Sequence, residues 1–196
     1  MTCSRSHRMR HAARHVAAAV LALGLGCTPT APRVDAEASA ATTDTAEQER
    51  VRIKGLMPRL LIHRQQHGQV EQLHDGSVAH TGDLVQISYM AAGNRNGVVV
   101  SLDGRGVVTL HHPPRPNADA TLVARGLHAL DHAYELDDAQ SYERFVFITS
   151  GDEPIDVQTV ITAARRLAAR GPAARHSPLP LPERWEQRFV TLDKRP

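Results

Sequence analysis

The chain has 196 residues, of which 41% are hydrophobic and 4% aromatic, and its formal net charge is +2 at pH 7. This length and composition fit one domain with an ordinary hydrophobic core and additional terminal segments. The basic balance comes from four arginines within residues 1–26, because the rest of the chain carries 19 basic against 21 acidic side chains, a net charge of −2. We therefore expect no nucleic-acid-binding surface on the domain.

The first 26 residues have the order of a targeting segment. A basic stretch, RMRHAAR, precedes an apolar run at 16–26 that is short for a membrane span and has the length of a signal-peptide core. The following LGLGC resembles the lipobox of bacterial lipoproteins, with Gly26 as the small residue before Cys27 and Gly24 where a larger aliphatic residue is usual. The resemblance implies cleavage before Cys27 and lipidation of its thiol. An ordinary secretory signal, cut near Gly26, is the alternative.

Cysteine usage and the next segment agree with a lipid anchor. Cys3 lies in the segment predicted to be removed, so Cys27 is the one cysteine left and no internal disulfide can form. Residues 28–50 are rich in Ala, Thr, Pro and charge and have one branched aliphatic residue, which predicts a disordered tether. The predicted organisation is a signal peptide at 1–26, a tether at 27–50 and a β-rich domain at 51–196.

The remainder of the chain is dominated by short strand patterns. Alternating or continuous apolar runs bounded by turn residues predict strands at 59–65, 69–73, 83–90, 97–102, 106–111, 132–136, 144–150 and 184–194. The Asp103-Gly104 pair between two β-branched runs predicts a hairpin, with glycine supplying the positive φ of a tight turn.

One segment has a helical period instead. Apolar residues at Val157, Val160, Ile161, Ala164 and Leu167 predict a one-sided helix. Asp156 is its expected N-cap, and Gly171-Pro172 is expected to end it. Strands in hairpin-like succession with this helix near the C-terminus predict a mainly β (α+β) domain, either an antiparallel sandwich or a barrel-like fold.

Histidines are the first candidates for chemistry. Nine lie beyond the predicted cleavage point: His63, His67, His74, His80, His111, His112, His128, His132 and His176. The pairs 63/67 and 128/132 have a four-residue spacing that brings imidazoles together only on a helix, and both fall in predicted strand or loop. His111 and His112 end a predicted strand, where adjacent side chains are expected to point to opposite faces. We therefore predict no metal site and no cofactor.

Other reactive patterns are weak. The sequence has no GxSxG elbow, phosphate loop or CxxC pair, so no catalytic residue is predicted. Ser150 stands between a strand and a helix, as some nucleophiles do, but Ser150 and Asp152 are expected to cap and turn the chain. The acidic run 135–138 with Asp131 lacks the spacing of a calcium loop and is expected to be a solvated turn.

Three stretches resemble a known family. GDLVQISYMAAG at 82–93, VVVSLDGRGVVTLHHP at 98–113 and ERFVFITS at 143–150 are similar to a bacterial domain-of-unknown-function family related to the ActD-like proteins. The similarity is strongest over 80–164 and looser over 52–192. It implies a β-rich fold, envelope placement and an accessory, regulatory or sensory role, with no established reaction.

These observations predict a non-catalytic, lipid-anchored protein of the cell envelope, periplasmic or at the outer membrane, and secreted if Cys27 is not lipidated. Its expected partners are the membrane, through the lipid, and an envelope protein or glycan. Two alternatives stay open: a metal-dependent hydrolase that uses the scattered histidines, and a passive structural protein.

Overall fold

The computed structural model describes residues 56–66 and 68–196. Within them the chain forms nine strands, one α-helix (α1) and one short 3-10 helix. The elements are β1 (Arg59–Gln66), β2 (Gln69–Leu73), β3 (Val78–His80), β4 (Leu84–Met90), β5 (Asn96–Asp103), β6 (Val108–His112), β7 (Leu127–Glu135), β8 (Ser141–Ser150), α1 (Val157–Ala168), the 3-10 helix (Gly171–Arg175) and β9 (Glu186–Arg195). The predicted signal peptide, Cys27 and the tether lie outside the described residues and stay predictions.

The strands form two sheets. Sheet A has the order β2-β1-β4-β7 and is antiparallel throughout. Sheet B has the order β3-β9-β8-β5-β6 and is antiparallel except for the parallel pair β3–β9. The predicted mainly β class with one helix near the C-terminus is confirmed. Neither sheet closes on itself, so the sandwich is the correct one of the two predicted architectures.

Sheet B is the middle layer of the fold. On β8, Phe145 and Phe147 pack into the core between the sheets, whereas Val146 and Ile148 pack into a second core under α1. Both faces of this strand are therefore apolar and buried, which explains why its sequence reads as a nearly continuous hydrophobic run. Among the described residues, sheet A is covered on one face only, and its strands alternate more clearly.

The helix forms where the sequence predicts it. The Asp156 carboxylate accepts hydrogen bonds from the backbone N–H groups of Gln158 and Thr159, at 3.1 and 3.2 Å, which caps the first turn. The predicted apolar stripe is buried against sheet B. The chain does not become extended at Gly171-Pro172 but continues into the 3-10 helix. Among the described residues, no helix has both the length and the hydrophobicity needed to cross a membrane.

The hairpin of β5 and β6 is confirmed, but for a different reason than expected. Gly106, not Gly104, has the positive φ, at +84°. A Cβ atom on Gly104 would lie 2.0 Å from the carbonyl oxygen of Gln140, so this position requires glycine because the backbone before β8 approaches closely. The expectation that Gly104 supplies the positive φ is therefore wrong.

Two strands depart from the sequence prediction. β7 begins at Leu127 rather than at residue 132, because the segment read as loop pairs along β4 around an irregularity in register. β3 was not predicted at all. It has three residues and lies parallel to the end of β9, so it depends on a contact that is remote in sequence.

Candidate functional site

A β-bulge places His111 and His112 on the same side of sheet B. The register between β5 and β6 shifts at this point and leaves His111 as the additional, unpaired residue. The ring centroid of His111 lies 4.3 Å from that of Tyr134, and the ring centroid of His112 lies 6.0 Å from that of Tyr89. Both tyrosines belong to sheet A, so both histidines face it. The expectation that they point to opposite faces is wrong, since the bulge interrupts the alternation.

A cavity of about 130 Å³ lies between the sheets beside His111. Such a volume has room for about four water molecules. Exposed residues of the β5–β6 hairpin and of the end of β7 form its mouth. Its walls are formed by Ser101, Asp103, Val107, Thr109, His111, Tyr134, Glu135, Leu136, Asp137, Glu143 and Phe145. We call this the inter-sheet cavity and take it as the candidate site, because it brings ionisable groups from both sheets together.

One hydrogen bond joins two side chains of the inter-sheet cavity. The Nε2 atom of His111 lies 2.9 Å from the hydroxyl oxygen of Ser101. Ser101 also acts to lower the pKa of the Glu143 carboxyl. In the tautomer whose proton lies on Nε2, His111 donates to Ser101 and its Nδ1 atom is an acceptor; in the other tautomer, Ser101 donates to Nε2.

Glu143 is buried beside a lysine. Lys194 Nζ lies 3.4 Å from Glu143 Oε2 and 2.5 Å from Asp137 Oδ1, and Arg105 contacts the other oxygen of Asp137 at 2.9 Å. Burial raises the pKa of Glu143, and the charge of Asp103 acts in the same direction. The Ser101 hydroxyl and the charge of Lys194 oppose this rise in the pKa. The two carboxyl groups thus differ: Asp137 forms short ion pairs with Lys194 and Arg105, whereas Glu143 has one longer contact, with Lys194.

The two adjacent histidines are neutral at pH 7. Burial lowers the pKa of His111 to about 4, and it also lowers the pKa of His112. One ring nitrogen of each has no hydrogen-bond partner among the described residues, Nδ1 in His111 and Nε2 in His112. A buried polar atom without a partner costs about 1–3 kcal/mol and is rare, which marks both as places where a water or a ligand is expected.

Asp103 is a further acceptor of the inter-sheet cavity. It is 4% exposed and lies opposite Glu143 in the pairing of β5 with β8. Its Oδ1 atom accepts the backbone N–H groups of Arg105 and Val107, at 2.9 and 2.8 Å. Within the described residues its Oδ2 atom accepts no hydrogen bond. One carboxylate oxygen therefore fixes the hairpin turn while the other stays open to a donor.

This arrangement is poorly suited to nucleophilic catalysis. Ser101 is 1% exposed, and the cavity of about 130 Å³ beside it admits only a small group to its hydroxyl. His111, with a pKa of about 4, is a weak base, and no carboxylate orients its Nδ1 atom as the acid of a triad would. The geometry favours binding of a small polar group over activation of a nucleophile.

The other residues singled out from the sequence do not converge. The Ser150 hydroxyl donates to the carbonyl of Glu153, and Asp152 is highly exposed beside Arg95, so Ser150 and Asp152 turn the chain as predicted. In the acidic run 135–138, Asp137 and Asp138 bind Arg105.

The histidine pairs with four-residue spacing lie on strands. His67 lies outside the described residues, and His63 belongs to β1. His128 and His132 belong to β7, where four residues separate two side chains by roughly 13 Å. Across residues 56–66 and 68–196, no group of three or more His, Cys, Asp or Glu side chains is arranged to hold a metal ion.

Sequence reasoning did not identify Ser101, Glu143 or Lys194 as site residues. A signal for the first two was present. Each lies two residues from a buried apolar residue that faces sheet A, Val99 for Ser101 and Phe145 for Glu143. A polar residue in the buried phase of a strand needs a partner, and here the partners are His111 for Ser101 and Lys194 for Glu143.

The fold and its cavity define a two-sheet β-sandwich with a small polar site between the sheets. Comparisons of the chain with protein-family models, with curated proteins and with solved structures find no match. The resemblance to the family related to the ActD-like proteins therefore stays a prediction.

Proposed function

We propose that the chain is a non-catalytic, lipid-anchored protein of the bacterial cell envelope whose sandwich domain binds a protein partner. The anchor is supported by the order of basic segment, apolar run, small residue and Cys27. It is also supported by the cysteine count, because a single remaining thiol makes most sense when it is modified.

The observation that carries the binding role is the uncovered face of sheet A. Helix α1 packs on the outer face of sheet B, whereas no described element covers the outer face of sheet A. The pairing register places a row of aliphatic side chains there, of which Leu84 and Leu127 are about half exposed. The apolar members of this outer face are Leu61, Val70, Leu84, Met90, Leu127, Ala129 and Ala133.

The composition of this face favours a protein over a glycan. Its outward positions in the described residues hold mainly aliphatic and amide side chains, with Arg59, His63 and Glu135 among them, and no Trp, Tyr or Phe ring on which a sugar could stack. Four strands about 4.8 Å apart and seven residues long give an area on the order of 450 Å². That area is below the roughly 800 Å² per partner of a standard stable interface, so it fits a transient partner. A transient partner agrees with an accessory or regulatory role.

The non-catalytic part of the proposal is supported by the poor accessibility and low basicity of the Ser101–His111 pair. The metal-dependent hydrolase has no specific observation in its favour among the described residues. The passive structural protein differs from our proposal in needing no partner on sheet A.

Site-specific photo-crosslinking in cells tests the partner. Benzoylphenylalanine placed at Ala133, on the outer face of sheet A, should give a discrete crosslinked product, whereas the same group at the exposed Arg165 of α1 should not. Leu84→Lys combined with Leu127→Lys should abolish the product without lowering the melting temperature, because both side chains are already half exposed. Equal crosslinking from both faces, or none from sheet A, would contradict the proposal.

Fractionation tests the anchor. The wild-type chain should sediment with membranes, and Cys27→Ala should move it to the soluble fraction, since stable attachment depends on acyl chains buried in the bilayer. Cys3→Ala is the matched control and should leave the distribution unchanged.

A further inference from the structure

We propose that the inter-sheet cavity is a binding site for a primary ammonium group. The geometry behind this proposal is independent of the lipid anchor and of the outer face of sheet A.

Two hydrogen-bonding atoms of the inter-sheet cavity have no partner among the described residues. Asp103 Oδ2 accepts nothing within the described residues, and His111 Nδ1 is buried without a partner. His111 Nδ1 accepts a hydrogen bond in the tautomer whose proton lies on Nε2, toward Ser101. An ionised carboxylate oxygen can only accept, so Asp103 Oδ2 takes a donor, and an ammonium group has three.

The walls of the inter-sheet cavity contain more acidic than basic side chains. Asp103, Glu135, Asp137 and Glu143 bring four carboxyl groups to the cavity walls. Lys194 and Arg105 both contact Asp137, and Lys194 lies at the longer distance of 3.4 Å from Glu143. Asp103 is 4% exposed and has no ion-pair partner among the described residues. A buried carboxylate without a counter-ion attracts a cation and repels an anion.

The volume of the inter-sheet cavity and the aromatic side chains that line it limit the size and kind of ligand. About 130 Å³ accepts an ammonium group with a short alkyl chain but not a nucleotide or a sugar. Tyr134 and Phe145 contribute aromatic rings to the walls, on which alkyl carbons or the cation itself can pack. The ligand is therefore either a free short amine or the end of a lysine side chain entering through the mouth.

Titration of the full chain with ethylammonium chloride, followed by nuclear magnetic resonance at the residues of the β-rich domain, tests the site. Amide shifts should be saturable and confined to the hairpin of β5 and β6 and the facing end of β7. The 15N signal of His111 Nδ1 should move as this atom accepts a hydrogen bond. A three-atom ligand should bind with a Kd on the order of 1 mM or weaker. Ethanol, sodium acetate and matched sodium chloride are the neutral, anionic and ionic-strength controls and should not reproduce these shifts.

Variants decide which groups hold the ligand. Asp103→Asn keeps an oxygen for the turn but removes the charge, and it should weaken binding at least about tenfold. Glu143→Gln, which keeps a side-chain oxygen for Lys194, should weaken binding even if Asp103→Asn fails to fold. Asp152→Asn, at a highly exposed and remote carboxylate, should bind as the wild type does.

Each outcome is decisive. Binding of ethylammonium but not of Nα-acetyl-lysine N-methylamide identifies a free amine as the ligand, and binding of both identifies a lysine side chain as an acceptable source. Absence of saturation up to about 100 mM, equal shifts with ethanol, or unchanged affinity in both Asp103→Asn and Glu143→Gln would overturn the proposal.

Discussion

Replacement of His111 should make the domain less sensitive to acid. The His111 ring is buried between the sheets, and burial lowers its pKa from 6.5 to about 4. The unfolded chain therefore binds a proton at His111 near pH 6.5, whereas the folded state binds it only near pH 4. In His111→Gln the amide nitrogen can still donate to Ser101, but the group no longer titrates.

The sign and size of this effect of pH on the free energy of unfolding follow from proton linkage. Between pH 6.5 and pH 4 the unfolded state binds more protons, so the free energy of unfolding falls as the pH falls through this window. A shift from 6.5 to about 4 corresponds to about 3 kcal/mol, fully present above pH 6.5 and lost by pH 4. Glu143 acts in the opposite direction. Its pKa is raised, so its contribution is present below its ordinary pKa and is lost as the pH rises through the folded value.

Urea unfolding at several pH values between 7.5 and 4.5 measures the effect. Over this range we expect the free energy of unfolding of the wild type to fall by about 2.5 kcal/mol more than that of His111→Gln, since the other groups are common to both. His132→Gln, at an exposed histidine of β7, is the control and should follow the wild type. Parallel curves for the wild type and His111→Gln would refute the reasoning, because a buried neutral imidazole must show this linkage.

Three further results are expected. Gly104→Val should lower the free energy of unfolding by about 1–3 kcal/mol in chemical denaturation, because its side chain meets the Gln140 carbonyl, whereas Gly151→Ala, with open space around it, should have little effect. Asp156→Ala should cost about 1 kcal/mol by the same assay, because two backbone N–H groups of α1 lose their acceptor, and Gln158→Ala should cost less. Treatment with a chelator should leave the melting temperature unchanged, and elemental analysis should find no stoichiometric transition metal.

The opposite result in each of these three experiments would contradict one specific feature described above. An unchanged stability of Gly104→Val would contradict the close approach of the hairpin to the segment before β8. Equal losses for Asp156→Ala and Gln158→Ala would contradict the N-cap. A bound metal whose removal lowers the melting temperature would restore the hydrolase alternative.

Most strands and the helix could be predicted because their signals are local. The alternation of β4 and the helical stripe from Val157 to Leu167 are set by burial of one face, and a residue's neighbours in sequence reveal that face. β3 and the first half of β7 could not be predicted in this way. Both form because a strand remote in sequence supplies hydrogen-bond partners, to β3 from β9 and to β7 from β4.

Part of the site could not be predicted, because it depends on a register shift. His111 lies on the face of Thr109 and Ser101 by simple alternation, whereas only the bulge brings His112 to that face, opposite Val99. The bulge is a property of the pairing between β5 and β6, and no residue type in VTLHH specifies it. Lys194 is a similar case. Its side chain is almost fully buried because two carboxylates surround it, and both belong to distant segments.

The intact mass of the protein extracted from membranes tests the central claim, that this is a lipid-anchored envelope protein, most directly. We predict a mature chain that begins at Cys27 and carries added mass corresponding to a lipid on that residue. A chain that retains residues before Cys27, or one that begins at or after Cys27 with no lipid on it, would contradict the claim.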